Sequence, residues 1–354
     1  MKSFSEIIED QTKTAVKIPQ SDYLESGKYR IFDQGKDYSV GFSNDENGVV
    51  YDFPYIIFGD HTRVVKFVNE PCFIGADGVK LLKVTNNNFD SKYVYYNILA
   101  KPIESQGYAR HFKFLKEIHF SEKSLPEQQK IAAELDTIQS AIDNKKQQLS
   151  LLDEAVKSRF IEMFGDLDCN IKTIEQTCTM KSGTTFSKDE ENDSGEIFYI
   201  KVSGMNLPEN DKYIKTSLSF VSRKVAGKTI IPANSIIFPK RGGAIGTNKK
   251  RITEQEICID LNTMAVTPSN ELNIQYLYQY FQNLDMGKLY NGSTVPQINN
   301  KDIGPLKIKV PPLELQQQFA TFVQQIDKSK FVVKQQIADL QELLDYKMNK
   351  YFGD

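Results

Sequence analysis

The densest group of basic side chains in this 354-residue chain lies in a glycine-containing stretch of its second half. Arginine and lysine side chains reach phosphates and the guanine edge, and glycines let a backbone amide approach a phosphate closely. We therefore predict a DNA contact at this stretch. Its candidate residues are Lys240, Arg241, Lys249, Lys250 and Arg251. A solvent-exposed hairpin loop is the alternative that the sequence leaves open.

A second polar loop lies just ahead of the last strand predicted in the same half. Asparagine and glutamine pair with adenine, and hydroxyl groups donate to phosphates. The candidate residues of this loop are Asn291, Ser293, Thr294 and Gln297.

Two stretches of the first half carry similar side chains. One group is His61, Thr62, Arg63 and Lys66, and the other is Tyr108, Arg110, His111 and Lys113. The second group follows Gly107 and occupies the position that matches the Asn291–Gln297 loop. Gln34-Gly35-Lys36 is a third candidate loop.

The sequence contains no recognisable catalytic constellation. The histidines, His61, His111 and His119, are not spaced as metal ligands. Pro311-Pro312 lacks the flanking residues of an adenine methyltransferase motif, and Arg241–Thr247 lacks the Lys-Ser/Thr ending of a phosphate loop. Asp60-His61 is an acid–base pair or, as we expect, a polar turn after a strand. We therefore predict no catalytic site, no metal and no cofactor in this chain.

Composition limits the possible classes of protein. Hydrophobic residues make up 40% and charged residues 25%, which is typical of globular domains, and no apolar run approaches the length of a membrane span. The four cysteines are widely spaced, which indicates reduced thiols and a cytoplasmic location. The net charge of −2 is unusual for a DNA-binding protein. Phosphate contacts are therefore concentrated on one face or shared with other subunits.

An internal repeat organises the chain. Leu125–Asp166 aligns without a gap onto Leu313–Asp354, an offset of 188 residues (from 125 to 313). About a third of the aligned positions are identical, including Gln128-Gln129 over Gln316-Gln317 and the terminal Phe-Gly-Asp. A match of this length indicates a duplicated structural unit.

Each copy of the repeat predicts one long helix. Seam positions recur in steps of four and three, from 131 to 163 in the first copy and from 319 to 351 in the second, as in a coiled coil. At about 1.5 Å per residue each helix should be roughly 57 Å long. Because a single apolar stripe must be covered, we expect the helices to pair, in antiparallel orientation. Lys145 and Lys330 interrupt the seam, where they fix the register or extend to solvent.

The segments before the helices predict two globules. Ile56-Ile57-Phe58 corresponds to Ile236-Ile237-Phe238, and Tyr93–Tyr96 corresponds to Tyr276–Gln279 in a predicted helix. The predicted strands include Gly48–Phe53, Tyr55–Phe58, Lys80–Val84, Ile197–Val202, Ile236–Phe238 and Ile257–Asp260. The fold class is therefore α+β, with pseudo-two-fold, cyclic symmetry. The predicted first globule covers 1–122, the central helix 123–166, the second globule 167–310 and the C-terminal helix 311–354.

Three features together carry a resemblance to a known family. Leu-x-x-Gln-Gln opens a long helix beside a proline twice, at Leu125 before Pro126 and at Leu313 after Pro312, and Phe-Gly-Asp closes it twice. In the first globule Ile57–Arg63 is followed by Ala76–Lys80, and the second has Ser182–Thr185 with Thr294–Ile298. The chain resembles, over essentially its whole length, the specificity subunit of type I restriction–modification systems.

The resemblance implies a division of labour. Each globule would be a target-recognition domain for one half of a split site in double-stranded DNA. The helix pair would set the gap and dock methyltransferase subunits, and restriction–translocation subunits would join the assembly. S-adenosylmethionine is expected in the methyltransferase partner, and no membrane partner is expected.

Two other function classes stay open from the residues alone. A stand-alone nuclease or methyltransferase would need the motifs that are missing. A coiled-coil scaffold without a DNA role would bind no DNA even with its partner present.

Overall fold

The computed structural model of the protein describes residues 1–75, 78–107, 109–290 and 295–353. It consists of two compact units. The first unit is Met1–Gln148 with Val333–Asp354, and the second is Leu149–Val332. These units group the chain differently from the four predicted segments, because each combines one globule with the beginning of one long helix and the end of the other.

The first globule is built around a sheet in the order β2-β8-β5-β6 and a second sheet in the order β4-β3-β7. Its elements are β1 (Lys2–Ser3), α1 (Phe4–Ile7), β2 (Ile8–Asp10), a 3-10 turn (Gln20–Asp22), β3 (Tyr29–Phe32), β4 (Gly41–Ser43), β5 (Tyr55–Gly59), β6 (Val65–Val68), β7 (Cys72–Ile74), β8 (Val79–Val84), α2 (Ser91–Ala100), α3 (Phe112–Leu115), β9 (His119–Phe120) and the long helix α4 (Leu125–Phe164). Strand β5 lies between β8 and β6 and is buried along its whole length. A candidate loop begins directly after the end of β5 at Gly59.

The second globule repeats this plan. Its elements are β10 (Asn170–Thr173), α5 (Ile174–Thr177), β11 (Cys178–Ser182), β12 (Ile197–Ile200), 3-10 turns (Gly204–Asn206 and Pro208–Asn210), β13 (Tyr213–Ile214), β14 (Phe220–Val221), α6 (Arg223–Ala226), a 3-10 turn (Gly227–Thr229), β15 (Ile236–Pro239), a 3-10 turn (Gly242–Thr247), β16 (Arg251–Thr253), β17 (Ile257–Ile259), β18 (Thr263–Pro268), α7 (Ile274–Gln282), a 3-10 turn (Met286–Lys288), α8 (Asn300–Ile303), β19 (Lys307–Val310) and the long helix α9 (Leu313–Phe352). The sheet orders are β11-β18-β15-β16-β13 and β14-β12-β17. They match those of the first globule strand for strand, apart from the added β13.

The structure confirms the central elements predicted from the repeat. Ile56–Phe58 and Ile236–Phe238 are the inner strands β5 and β15, and both predicted helices are present as α2 and α7. The predicted strand Gly48–Phe53 is wrong. In that segment Val50 alone pairs, with Cys72, through backbone N···O distances of 2.8 and 3.2 Å.

The two long helices have the predicted extent, since α4 and α9 each contain 40 residues. All seam positions are buried or half-buried. Within each unit the helical segments run antiparallel. In the first unit Glu134 of α4 accepts from Lys347 and Tyr351 of α9, at 2.6 and 2.5 Å. In the second unit Asp153 of α4 pairs with Lys330 of α9, so this seam lysine makes a cross-helix ion pair.

In each unit an aspartate of a long helix makes a polar contact with the globule. In the first unit Asp136 of α4 lies 3.1 Å from the Lys92 ammonium and accepts from the Tyr96 hydroxyl at 2.6 Å. In the second unit Asp327 of α9 lies 2.6 Å from the Lys212 ammonium. These are polar links between a globule and the helix that follows it in the chain.

The twice-occurring Phe-Gly-Asp has a packing role. Phe352, at the end of α9, packs on Tyr93 of α2 with ring centres 5.1 Å apart. Phe164, at the end of α4, packs on Tyr276 of α7 at 4.8 Å. Each helix therefore ends against the globule of the other repeat, as cyclic symmetry requires. None of the helices in the described ranges is both long enough and apolar enough to cross a membrane.

Candidate nucleic-acid interface

In the second globule two candidate loops that are far apart in sequence lie side by side. The chain leaving β15 pairs with the segment before α8, because Ile298 N donates to Lys240 O at 2.9 Å and Gly242 N donates to Pro296 O at 2.9 Å. Arg241 and Gln297 are partners in this antiparallel bridge. The start of the basic loop therefore lies beside residues 296–298, at the described end of the polar loop.

The first globule contains the corresponding arrangement. His111 N donates to Asp60 O at 2.8 Å, and Phe112 N donates to the Asp60 carboxylate at 2.8 Å. The third candidate loop joins them, since the Thr62 hydroxyl donates to Gln34 O at 2.5 Å. Asp60 follows β5 as Lys240 follows β15. Both globules therefore gather their candidate loops at the same end of the same inner strand.

The candidate side chains differ in how far they reach solvent. Arg110, Lys113, Thr62 and Arg241 are exposed, and His61, Arg63, Lys249, Arg251 and Gln297 are half-buried. The Arg63 guanidinium donates to Ile103 O at 3.1 Å, and Gln297 donates to Asn299 at 2.7 Å. The exposed arginines Arg110 and Arg241 therefore lie on the two loop surfaces with their charge towards solvent.

Burial corrects the prediction for Lys240 and Lys250. Lys240 is buried and donates to the Ser182 hydroxyl at 2.8 Å, which ties β15 to β11. Lys250 is 0% exposed, and its ammonium donates to Asn248 Oδ1 and Leu284 O, both at 2.8 Å. Burial lowers the pKa of Lys250 to about 8. Neither ammonium is available to a phosphate in this structure, so both shape the loop from beneath.

The same correction applies to Lys66 and His111 in the first globule. Lys66 lies on the inner face of β6, where its ammonium is 3.5 Å from the carboxylate of Asp33, the residue after β3. Burial lowers the pKa of Lys66, and Asp33 opposes that shift. His111 is fully buried, with Nδ1 3.0 Å from Asp60 O, and Gln106 N donates to its Nε2 at 3.2 Å. His111 therefore fixes the loop before it.

The basic loop, residues 240–251, contains the glycines Gly242, Gly243 and Gly246. Gly242 has φ +68, a conformation that favours glycine, whereas Gly243 and Gly246 have no such requirement. A methyl group at Gly243 or Gly246 would meet no described atom within 4 Å beyond its chain neighbours. Nothing in the described parts of this chain therefore requires glycine at these two positions.

Four candidates lie outside the described residues, namely Tyr108, Asn291, Ser293 and Thr294. Among the residues that are described, no group of three or more histidine, cysteine, aspartate or glutamate side chains is placed to hold a metal ion.

A model of the type I restriction modification DNA specificity domain matches residues 167–342. The match spans the whole second globule and most of α9, and the first globule repeats the fold of that region. The chain belongs to the family of type I restriction–modification specificity subunits.

Two curated specificity subunits are similar to this one in sequence. The MjaIX specificity subunit of Methanocaldococcus jannaschii is 27% identical over 68% of this chain and 61% of its own length. The EcoR124I/EcoR124II specificity subunit of Escherichia coli is 22% identical over 91% of this chain and 85% of its own length. This chain thus spans less than two thirds of the archaeal relative and most of the bacterial one.

Solved structures share the fold. The specificity subunit of the type I system from M. genitalium has a TM-score of 0.61 at 16% identity, with 100% of this chain and 96% of that chain covered. A chain from a study of complex assembly and conformational transition of the type I system has a TM-score of 0.55 at 14% identity, with 99% and 96% covered. The shared fold therefore extends over both globules and both long helices.

The long helices of this specificity subunit expose apolar side chains that the repeat does not share. Phe331 of α9 is 70% exposed and Val332 is 53% exposed. The aligned positions in α4, 188 residues earlier (331 to 143), are Asp143 and Asn144. Conversely, Leu151 of α4 is exposed where α9 has Asp339. The exposed positions of the two helices therefore differ in polarity, although the seam positions are buried or half-buried in both.

Proposed function

We propose that this chain is the DNA sequence-reading subunit of a type I restriction–modification complex, with each globule reading one half of a split site. The observation that carries the proposal is the repeated convergence of loops at the end of an inner strand, at Asp60 with His111 and at Lys240 with Ile298. Two such surfaces on one duplicated scaffold suit a site with two specified blocks. Their loop sequences differ, so the two blocks differ.

Exposed and half-buried loop residues would read the bases, and buried ones would support the loops. Arginine recognises guanine through two hydrogen bonds in the major groove, and amide side chains recognise adenine. Arg110 in the first globule and Arg241 with Gln297 in the second are the groups best suited to these contacts. Buried Lys240, Lys250, Lys66 and His111 act by holding the loops.

The long helices set the gap between the two blocks in this proposal. Modules that face the same side of B-DNA sit about 10 bp apart, which is one helical turn. Removing one heptad from each helix at aligned positions, 152–158 and 340–346, which leaves Phe331, Val332 and Leu151 in place, tests this role. We expect a shorter gap with both blocks unchanged, whereas altered blocks would contradict it.

Methyltransferase and restriction–translocation subunits are the proposed protein partners. Contiguous exposed apolar surface marks protein contacts, and both long helices carry exposed apolar side chains. Phe331, Val332 and Leu151 are the proposed centre of the methyltransferase contact. S-adenosylmethionine would bind the methyltransferase partner, this chain would supply no catalytic group, and the complex would work on DNA in the cytoplasm.

Long-read methylation sequencing of cells with and without the gene tests the proposal. We expect adenine methylation at two short specified blocks separated by a fixed unspecified gap, and its loss when the gene is deleted. A continuous motif, or methylation that persists without the gene, would contradict it. Absence of DNA binding by the chain with its methyltransferase partner would favour a scaffold role.

A further inference from the structure

Basic side chains of the first unit surround the ring of Phe112 at the start of α3. The ammonium groups of Lys80 and Lys116 lie 4.7 and 4.8 Å from the ring centre. Lys113 lies 4.7 Å from the ring of Phe114. Lys80 precedes Lys116 by more than thirty residues in the chain, so the sequence alone does not bring them together.

The ring that carries these cations is rigidly held. Phe112 is buried, and it contacts Phe4 and Phe58 with ring centres 6.0 and 6.3 Å away. Its backbone N–H donates to the Asp60 carboxylate at 2.8 Å. An ammonium over an aromatic face is stabilised there while its other protons remain free to donate. The rings therefore hold the ammonium groups in place while leaving protons that can donate to a ligand.

The cluster carries net positive charge. Lys80 lies 3.5 Å from the Asp10 carboxylate, and in the described parts of the chain neither Lys113 nor Lys116 forms an ion pair. Lys28 provides a contrast in the same globule, because it lies 5.0 Å from the Tyr29 ring but pairs with Glu46 at 2.6 Å. The charge of Lys28 is therefore balanced by a carboxylate, whereas no carboxylate of the described residues balances Lys113 or Lys116.

The cluster adjoins the candidate loops directly. Lys80 is the register partner of Phe58 on β5, two residues before Asp60. Lys113 lies two residues after His111, whose backbone N–H donates to Asp60 O. Any DNA that contacts the loops after β5 therefore passes next to these cations.

We propose that Lys80, Lys113 and Lys116, which we call the α3 cluster, bind backbone phosphates of DNA beside the block read by the first globule. This inference rests on the proposed function. The ligand is the phosphodiester group itself, so the contact is independent of base sequence.

The second globule lacks this cluster. The position of Lys116 is occupied by Gly304, and Met264 is opposite Phe238 where Lys80 is opposite Phe58. Lys301 alone corresponds to Lys113. Phosphate binding by the α3 cluster is therefore proposed for the first globule alone. It would let a chain with a net charge of −2 bind DNA.

The test is a salt titration of DNA binding by the full chain with its methyltransferase partner. Each phosphate contact contributes about 0.9 to the slope of log affinity against log salt. Lys113→Gln with Lys116→Gln should reduce that slope by about 1.8, equally for a duplex with the methylated motif and one of scrambled sequence. Lys28→Gln, the matched control, should leave the slope unchanged. Lys113→Arg with Lys116→Arg, which keeps both charges, should have the wild-type slope.

Each other outcome overturns part of the account. An unchanged slope in the glutamine variant, with wild-type binding intact, overturns the α3 cluster alone. A reduction confined to the motif duplex means base reading and overturns the phosphate assignment. Wild-type protein that binds neither duplex contradicts the proposed function, and it therefore also contradicts the role proposed for the α3 cluster. Thermal unfolding of each variant verifies that these exposed substitutions leave the fold intact.

Discussion

Gln128 and Gln316, at aligned positions of the repeat, make the same three hydrogen bonds, each within its own unit. Gln128 Oε1 accepts from Asp90 N at 2.9 Å, and Nε2 donates to Asn88 O and Lys123 O, both at 2.9 Å. Gln316 accepts from Asn273 N at 2.7 Å and donates to Glu271 O and Pro311 O at 3.0 and 2.7 Å. The shared glutamine motif therefore fastens a long helix to the N-terminus of a globule helix.

Replacing Gln128 by alanine should destabilise the first unit. The substitution removes a buried side chain and leaves the partly buried backbone groups of Asn88, Asp90 and Lys123 without their partner, and a buried group left unpaired costs about 1–3 kcal/mol. We expect a loss of roughly 3 kcal/mol in the free energy of unfolding, measured by denaturant titration. Gln129→Ala, at the exposed neighbour in the same motif, is the control. Equal losses in both variants would contradict the buried bonding role.

Lys309 should stabilise the end of α4. Its ammonium donates to the carbonyls of Phe164, Gly165 and Leu167 at 3.2, 2.7 and 2.8 Å, where the helix dipole favours a cation. Lys309→Met should lower the unfolding free energy by about 1–2 kcal/mol and speed amide hydrogen exchange in the last turn of α4. Lys307→Met removes an exposed lysine from the same strand and should have little effect. Unchanged exchange in Lys309→Met would disprove the cap.

Alanine substitutions at Gly243 and Gly246 distinguish an effect on folding from an effect on DNA binding. Neither position requires glycine within the described chain, so alanine should fit and should stabilise the loop slightly by restricting the unfolded chain. The added methyl groups would keep the loop backbone away from DNA. We expect the double alanine variant to unfold no more easily than wild type, yet to bind the motif duplex at least tenfold more weakly. Unchanged binding would show that this loop does not approach DNA closely.

The buried ammonium of Lys250 predicts a pH dependence of stability. Its pKa is about 8 in the folded chain and near 10.5 when unfolded, so between these values the unfolded state binds more protons. Stability should therefore rise with pH from about 8 to 10.5, by at most about 1.4 kcal/mol per unit. Lys250→Met, which removes the titrating group, should lose this rise when unfolding is measured across the range. Parallel curves for both proteins would contradict the lowered pKa.

The sequence predicted the parts of the fold that depend on local periodicity. The heptad seam identified α4 and α9 in full, because a repeated apolar stripe has one structural solution. The paired apolar segments identified β5 and β15. Asp153 and Lys330 show what periodicity omits, since the ion pair that accommodates a seam lysine joins residues from different copies of the repeat.

The candidate site was harder to predict because the direction of each side chain depends on the sheet. Lys240 and Arg241 are neighbours, yet one points to Ser182 and the other to solvent, as alternation along an extended chain requires. Lys66 belongs to the inner face of β6, and its partner Asp33 follows β3, a strand of the other sheet. The pairing of Lys80 with Lys116 around Phe112 likewise depends on tertiary contacts that no local pattern indicates.

Exchanging one globule tests the central claim most directly. Residues 167–310 are replaced by the corresponding globule of a specificity subunit with a known motif, and the methylated motif of the host is read by long-read sequencing. The account predicts that one block changes to that of the donor, while the other block and the gap stay as they were. A change in both blocks, or in neither, would contradict the assignment of one reading surface to each globule.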